Sequence, residues 1–232
     1  YLLGIDFGGG ASKATLLSKQ GAIIAESTVE YETLHPTLGA CEQRPKDWLD
    51  ALCENTRSLL QKSGIAPADI ACIAIDSATH SSLVCGADFV PLRNAIHWTD
   101  TRSRRQANYL KETCGAEIFK KCYHSPDTIW TLPQLMWLKE NEPEVFGKIQ
   151  YIFFEKDYIR YFLTGVFCTD RIEAAGSMLY DLTRQEWSQE LCDLAGIQKS
   201  FLPPLCEPTD VIGAVTPAAA AQTGLCAGTP VI

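Results

Sequence analysis

The sequence predicts a layered α/β lobe built on a mixed sheet, and three observations carry that expectation. An apolar run from Tyr1 to Phe7 meets Gly8, Gly9 and Gly10, and a second apolar run follows, which reads as strand, tight turn, strand. A third extended segment, Gly21 to Glu30, is reached through the short turn Lys19-Gln20-Gly21. A helical pattern and the apolar run Ile70 to Ile75 come next, so the order is βββαβ, that of a layered α/β domain.

Composition bounds the partners. The 232 residues are 46% hydrophobic and 21% charged, ordinary for a folded chain and enough for one large or two small cores. No apolar stretch reaches the roughly 18 residues of a spanning helix, and the start lacks the basic region and cleavage site of a secretory signal. A cytoplasmic location without a membrane partner is the expectation. The net charge is -8 and the cluster Arg102, Arg104, Arg105 is short and isolated, so a nucleic-acid footprint is absent. Ten cysteines are scattered without a CxxC pair and read as reduced thiols. The chain starts inside a strand without Met and stops at GTPVI, at the start of another strand, which predicts a piece of a longer polypeptide.

After the meander, residues 31–46 hold His35-Pro36, Gly39 and Pro45 and read as a loop. Asp47 opens a helix with Trp48, Leu52, Leu59 and Leu60 near one face, and Gly64 ends it. The continuous run Ile70 to Ile75 is typical of a strand covered on both faces. The polar stretch from Asp76 to Ser82 leaves the end of that strand, where α/β sites usually sit. A short strand at Leu83 to Cys85 and a turn at Gly86-Ala87-Asp88 lead to AIHWTDTRSRRQ. A helix then runs from Asp100 or Thr101 to about Thr113, with Asp100 as its N-cap. Further helices are expected at about 132–140 and 155–163. Residues 166–183 read as a strand, a short helix and an extended piece, residues 186–195 as helix, and Pro217 to Gln222 as a small helix after the break at Leu202-Pro203-Pro204.

The chemistry concentrates at the first turn. Gly8, Gly9 and Gly10 are free to take positive φ and leave their N–H groups uncovered, which suits a phosphate. Asp6 is placed to hold a hydrated Mg²⁺, and Lys13 to meet phosphate oxygens. The loop is not a Walker A motif, which needs GxxxxGK[ST] between strand and helix. A glycine-rich hairpin with a surface Asp and Lys stands beside this reading.

Five markers in order resemble the N-terminal lobe of the FGGY carbohydrate kinases, and within that family the xylulokinases most closely. They are GIDFGGGASK, Glu42-Gln43 before Pro45 and Trp48, AIHWTDTR, KDYIRYFLTG at 156–165, and TDRIEAAGSMLYDL followed by Trp187. The resemblance covers the whole chain. It implies a ribonuclease-H-like lobe of the actin-like ATPase superfamily, and transfer of the γ-phosphoryl group of ATP, with Mg²⁺, to a sugar hydroxyl.

The same resemblance assigns residues. The family's first loop reads DxGT followed by Ser or Thr, where this chain has Gly9 and Gly10, so hydroxyl contacts give way to backbone N–H groups, Asp6 and Lys13. Xylulokinases carry Met-His where this chain has Thr79-His80, and polyol kinases carry Arg-Glu, which makes Thr79 and His80 substrate contacts. Trp98 matches a tryptophan that packs on the substrate carbon chain in glycerol kinases; core packing is the alternative. Asp100, in WxDxR, is a sugar contact or an N-cap paired with Arg102 or Arg104. Trp130 lies in a stretch bordering the sugar site of relatives. His35, His97 and His124 match no ligand spacing and read as structural or exposed, and Asp157 with Arg160 as a helix-face pair.

The family's catalytic base is an aspartate in a GGGD-like segment that would follow Ile232, and its adenosine pocket comes mostly from a second lobe. The resemblance therefore implies the N-terminal lobe of an ATP- and Mg²⁺-dependent kinase converting D-xylulose to xylulose 5-phosphate, inactive as this piece alone. Its partners are a sugar and the second lobe of the same polypeptide, with a homodimer open. Ribulose, glycerol or gluconate as substrate, and a non-catalytic sugar or nucleotide sensor on the same fold, are the rival readings. The GGG loop favours the sensor.

Overall fold

The computed structural model describes residues 1–232. Strands β1 (Leu2–Phe7), β2 (Ala11–Leu17) and β3 (Ile23–Glu30) form the expected antiparallel meander, with Asp6 opposite Lys13 and Phe7 opposite Ser12. Alternation decides what each face does. Leu3, Ile5, Phe7, Ala14 and Leu16 are buried, while Asp6 and Lys13 stand on the opposite, exposed face.

The loop expected over 31–46 contains a short strand, β4 (Glu42–Gln43), and helix α1 (Pro45–Ser63) begins two residues before Asp47. Proline suits that first helical position because its fixed φ is already helical and its missing N–H would have no partner there. Gly64 closes the helix in the left-handed region, at φ 66°, and donates its N–H to the Leu60 carbonyl. Strand β5 (Cys72–Ser77) then lies parallel beside β1, which sets Asp76 next to Asp6. Burial on both faces of this strand is not observed. Ile73 and Ile75 are buried, but Ala74 and Asp76 are exposed, because helices cover only one face of the sheet.

A second, smaller sheet follows from β6 (Ser82–Cys85), β7 (Ala95–Ile96), helix α2 (Arg104–Cys122), α3 (Thr131–Asn141), α4 (Pro143–Phe146) and β8 (Tyr151–Phe154), in the order β4-β7-β6-β8. Two cores meet across it. Leu83, Cys85 and Phe153 belong to the first core, with the large sheet, and Val84, Ile152 and Phe154 to the second, with α2 and α3. Both faces of β6 and β8 are thus covered, the situation that permits uninterrupted apolar strands such as YIFF.

Helix α2 corrects the expected one. It starts at Arg104 rather than at Asp100 or Thr101, and it continues past Thr113 to Cys122 after a break at Cys114, whose φ is −144°. Leu110, Ile118 and Cys122 keep one stripe buried across the break, which holds the second half of the helix in place.

Helix α5 (Glu155–Thr164) packs on the large sheet with α1. The rest of the chain adds β9 (Thr169–Asp170), α6 (Arg171–Gly176), β10 (Tyr180–Asp181), β11 (Glu186–Trp187), α7 (Gln189–Ala195), β12 (Leu205–Cys206), β13 (Gly213–Ala214), α8 (Pro217–Thr223) and β14 (Pro230–Val231). The segment 186–195 is a strand before it is a helix, because Ser188 caps α7 by accepting the Leu191 N–H. β14 joins β5 in parallel, giving the six-stranded order β13-β14-β5-β1-β2-β3, with α1, α5 and α8 on its covered face. All ten cysteines are unpaired. No helix is long and apolar enough to cross a membrane.

Candidate active site

The glycine turn is fastened through its carbonyls. The Gly8 N–H donates to the Ala11 carbonyl at 2.9 Å, and the Gly8 carbonyl accepts from the Tyr31 hydroxyl at 2.6 Å. The Gly9 carbonyl accepts from the Thr33 hydroxyl and from Gln43 Nε2 at 3.2 Å, and the Gly10 carbonyl from the Tyr31 N–H at 3.1 Å. The N–H groups of Gly9 and Gly10 have no acceptor in the lobe and lie on the surface. The left-handed freedom expected of these glycines is not used, since none of the three adopts positive φ. A Cβ on Gly10 would meet nothing, and one on Gly9 would touch the His97 ring at an ordinary 3.6 Å.

Beside the turn, Asp76, Asp6 and Lys13 form a row across three strands on the exposed face. Partial burial and the neighbouring Asp76 raise the Asp6 pKa, against the opposing pull of Lys13. Two adjacent hard oxygen donors with open space around them suit Mg²⁺, which keeps most of its water and takes one or two carboxylates plus phosphate oxygens. No cluster of three or more protein ligands that would make a closed metal cage is present.

The Thr79-His80 loop leaves the sheet next to that turn, since the Ala78 N–H donates to the Phe7 carbonyl at 2.7 Å. His80 sits in the left-handed region at φ 59°, a conformation that costs a non-glycine residue about 1–2 kcal/mol. Its N–H donates to Glu173 Oε1 at 2.6 Å, and its Nε2 lies 3.0 Å from Thr79 Oγ1. Its ring packs at 5.0 Å from Trp130, which stacks in turn on His124 at 4.4 Å and donates Nε1–H to the Ser125 carbonyl. Burial, with His124 and Lys156 nearby, holds the His80 pKa down at about 4, so the imidazole is neutral at physiological pH.

Trp98 is 40% exposed, which removes the core-packing alternative. Its ring lies 5.8 Å from that of His97, and His97 lies against Gly9, so the glycine turn and the Trp98 segment are contiguous. Asp100 makes the expected pair with Arg102, but the N-cap position of α2 falls to Ser103. Asp100 is 1% exposed; its Oδ2 accepts the Cys41 N–H at 2.8 Å and Arg102 Nε at 2.9 Å, and its Oδ1 accepts the Arg102 N–H at 2.9 Å. A carboxylate so committed neither caps α2 nor reaches a sugar hydroxyl. It braces the turn behind Trp98.

The model of the FGGY family of carbohydrate kinases, N-terminal domain, matches residues 1–232. This chain belongs to that family. A xylulose kinase from Bacillus subtilis (strain 168) is 36% identical over 225 residues, which is 97% of this chain and 45% of that protein. A structure described as gluconate kinase from Lactobacillus acidophilus superposes with a TM-score of 0.94 at 31% identity, over 100% of this chain and 46% of that one. A ligand-bound xylulose kinase structure from the same organism gives 0.94 and 31%, over 100% and 47%. The chain thus spans about half the length of the relatives it matches. These likenesses bear out the mixed α/β carbohydrate-kinase lobe expected from the five sequence markers.

Behind the Thr79-His80 loop, this FGGY lobe carries a buried group of charges that the sequence does not signal. Lys156 Nζ lies 2.7 Å from Asp170, 3.3 Å from Glu173 and 3.5 Å from Asp157, and Arg160 pairs with Asp157. The expected Asp157–Arg160 pair forms on α5, three residues apart on one face of the helix, and that face is interior. The group borders a cavity of about 240 Å³ that also meets Asp76 and Thr79. Burial pushes the Glu173 carboxyl up to about 7 against the pull of Lys156. Burial works to lower the Lys156 pKa, but Asp157 and Glu173 overcome it and leave it raised. Glu155, fully buried at the start of α5, is likewise pushed well above the usual carboxylate range by burial. The spacing Asp170-x-x-Glu173 does signal a helix start, and Asp170 does cap α6. Nothing in that spacing shows Glu173 turning to His80.

Proposed function

We propose that the chain is the N-terminal lobe of an ATP- and Mg²⁺-dependent sugar kinase that phosphorylates the terminal hydroxyl of D-xylulose to give xylulose 5-phosphate. One observation carries this reading: the bare N–H groups of Gly9 and Gly10, flanked by Asp6 and Lys13, are joined to the Thr79-His80 loop by the Ala78 to Phe7 hydrogen bond. Phosphoryl transfer depends on positioning and charge stabilisation, and these residues supply both. ATP and Mg²⁺, when bound, supply the transferable group and neutralise its charge. Gly9 and Gly10 donate to phosphate oxygens, Lys13 offsets their charge, and Asp6, with Asp76 beside it, holds the hydrated cation. Thr79 and neutral His80 hydrogen-bond the sugar, and the exposed Trp98 indole covers its C–H face.

On this reading the general base lies in the segment that would follow Ile232 and most of the adenosine pocket in a second lobe, in a polypeptide about twice as long, in line with the relatives' lengths. We place the enzyme in the cytoplasm, where its nucleotide is abundant. Gluconate, glycerol or ribulose as acceptor is the second reading, favoured by the gluconate kinase structure at 31% identity. A sensor is the third, favoured by the glycines at positions 9 and 10. The test is to incubate the full-length protein with ATP, MgCl₂ and D-xylulose and to locate the phosphate by ³¹P–¹H NMR. A phosphate on C5 supports the proposal. Turnover of only another sugar moves it to the second reading, and no sugar phosphate from any of them moves it to the sensor.

A further inference from the structure

We propose that Glu173 and Gly176, on the short helix α6, are positioning residues that set the sugar-contacting imidazole of His80, an inference that rests on the kinase reading. Glu173 is 1% exposed, and Asp170 already caps its helix by accepting the Ile172 and Glu173 N–H groups, so the helix does not need the Glu173 carboxylate. That carboxylate instead accepts the N–H of His80 at 2.6 Å and fixes a residue held at φ 59°. A buried charge is costly unless paired, and Lys156 at 3.3 Å with this one N–H provides the pairing.

The same oxygen faces His80 Nδ1 at 4.0 Å. That distance is beyond hydrogen-bond reach and Nδ1 has no other partner, so it is the negative charge on that side, rather than a hydrogen bond, that favours a proton on Nδ1. Nε2 is then the acceptor, supplied by the Thr79 hydroxyl at 3.0 Å or by a sugar hydroxyl in its place.

Gly176 makes room for the ring. A Cβ there would lie 2.0 Å from His80 Cε1 and 2.1 Å from Nδ1, and Gly176 is not at positive φ, so glycine serves the ring and not the backbone. With Trp130 at 5.0 Å, two neighbours define the plane of the imidazole.

The test is steady-state kinetics of the full-length protein carrying Gly176→Ala, Glu173→Gln, Glu173→Ala and His80→Ala, singly and with His80→Ala added to each of the others. The sugar KM of Gly176→Ala rises about tenfold while the ATP KM stays within about twofold. In the His80→Ala background Gly176→Ala adds nothing, because the ring it displaces is gone. Glu173→Gln, which keeps an oxygen acceptor, recovers most of what Glu173→Ala loses. An unchanged sugar KM in Gly176→Ala, or a loss that persists without His80, overturns the inference. A wild type that phosphorylates no sugar defeats the kinase reading instead, and the positioning is then read from ¹H–¹⁵N spectra of the histidine rings. The His80 signals show Nδ1 protonated in the wild type and move in Gly176→Ala and Glu173→Ala; unmoved signals overturn the positioning itself.

Discussion

Single residues separate the two halves of the site. Trp98 is 40% exposed and contributes little core packing, so Trp98→Ala raises the sugar KM several-fold and leaves thermal stability nearly unchanged. A loss of stability beyond about 1 kcal/mol, with the sugar KM intact, contradicts its assignment. Gly9 tolerates a side chain, because its φ is not left-handed and a Cβ meets the His97 ring at 3.6 Å. Gly9→Thr restores the hydroxyl of the family's loop and lowers the ATP KM by about twofold to tenfold, the worth of one hydrogen bond; a raised ATP KM contradicts it. His80 and His97 are both held down to about 4 chiefly by burial, against an ordinary 6.5. The folded chain therefore binds fewer protons than the unfolded chain between those values. The stability these two contribute is present above 6.5 and is lost as pH falls toward 4. Glu173, raised to about 7, acts with the opposite sign, costing stability as pH rises from 4.5 through 7. NMR titration of the histidine rings checks the first pair, and midpoints near 6.5 contradict it. His80, Thr79 and Trp98 are singled out in the sequence because they fall on positions of family motifs, and their placement near the glycine turn is what the structure adds. Glu173 and Gly176 are not singled out, because their effect is exerted across nearly a hundred residues of chain through one backbone N–H and one missing methyl.

At the scale of elements, α5 and α6 face each other through opposite charges. Asp157 is fully buried against Arg160 and within reach of Lys156, and no other carboxylate lies as close to Arg160. Asp157→Ala leaves interior Arg160 with only Asp170, at 3.6 Å, while Lys156 keeps Asp170 and Glu173, and it costs about 3–5 kcal/mol, the usual penalty for breaking a buried pair from one side. Urea unfolding measures it, and a change below about 1 kcal/mol contradicts the account. Sequence periodicity located α1, α3, α5 and α8 within one or two residues, because each has a clear apolar face or a proline or glycine at its boundary. It failed on α2 and β8 for tertiary reasons. The second half of α2 is held by burial of Ile118 and Cys122 across a break, and β8 exists because two separate cores press on it.

For the whole molecule, the large sheet has one covered face and one that presents Asp6, Lys13 and Asp76, so the lobe offers its chemistry on an open surface. The βββαβ order made that architecture legible. The open face was not, because the apolar run Ile70 to Ile75 reads as a strand buried on both sides. On the proposed kinase reading the general base lies outside residues 1–232, and that reading predicts no ATP-dependent ketose phosphorylation above background by these residues purified alone. The most direct test of the central claim is kcat/KM of the full-length protein for D-xylulose, ribulose, glycerol and gluconate, with His80→Ala measured in parallel. The account predicts a clear preference for D-xylulose, weakened by His80→Ala through the sugar KM. Equal use of D-xylulose by the wild type and His80→Ala, or no phosphorylation of any of the four, contradicts it.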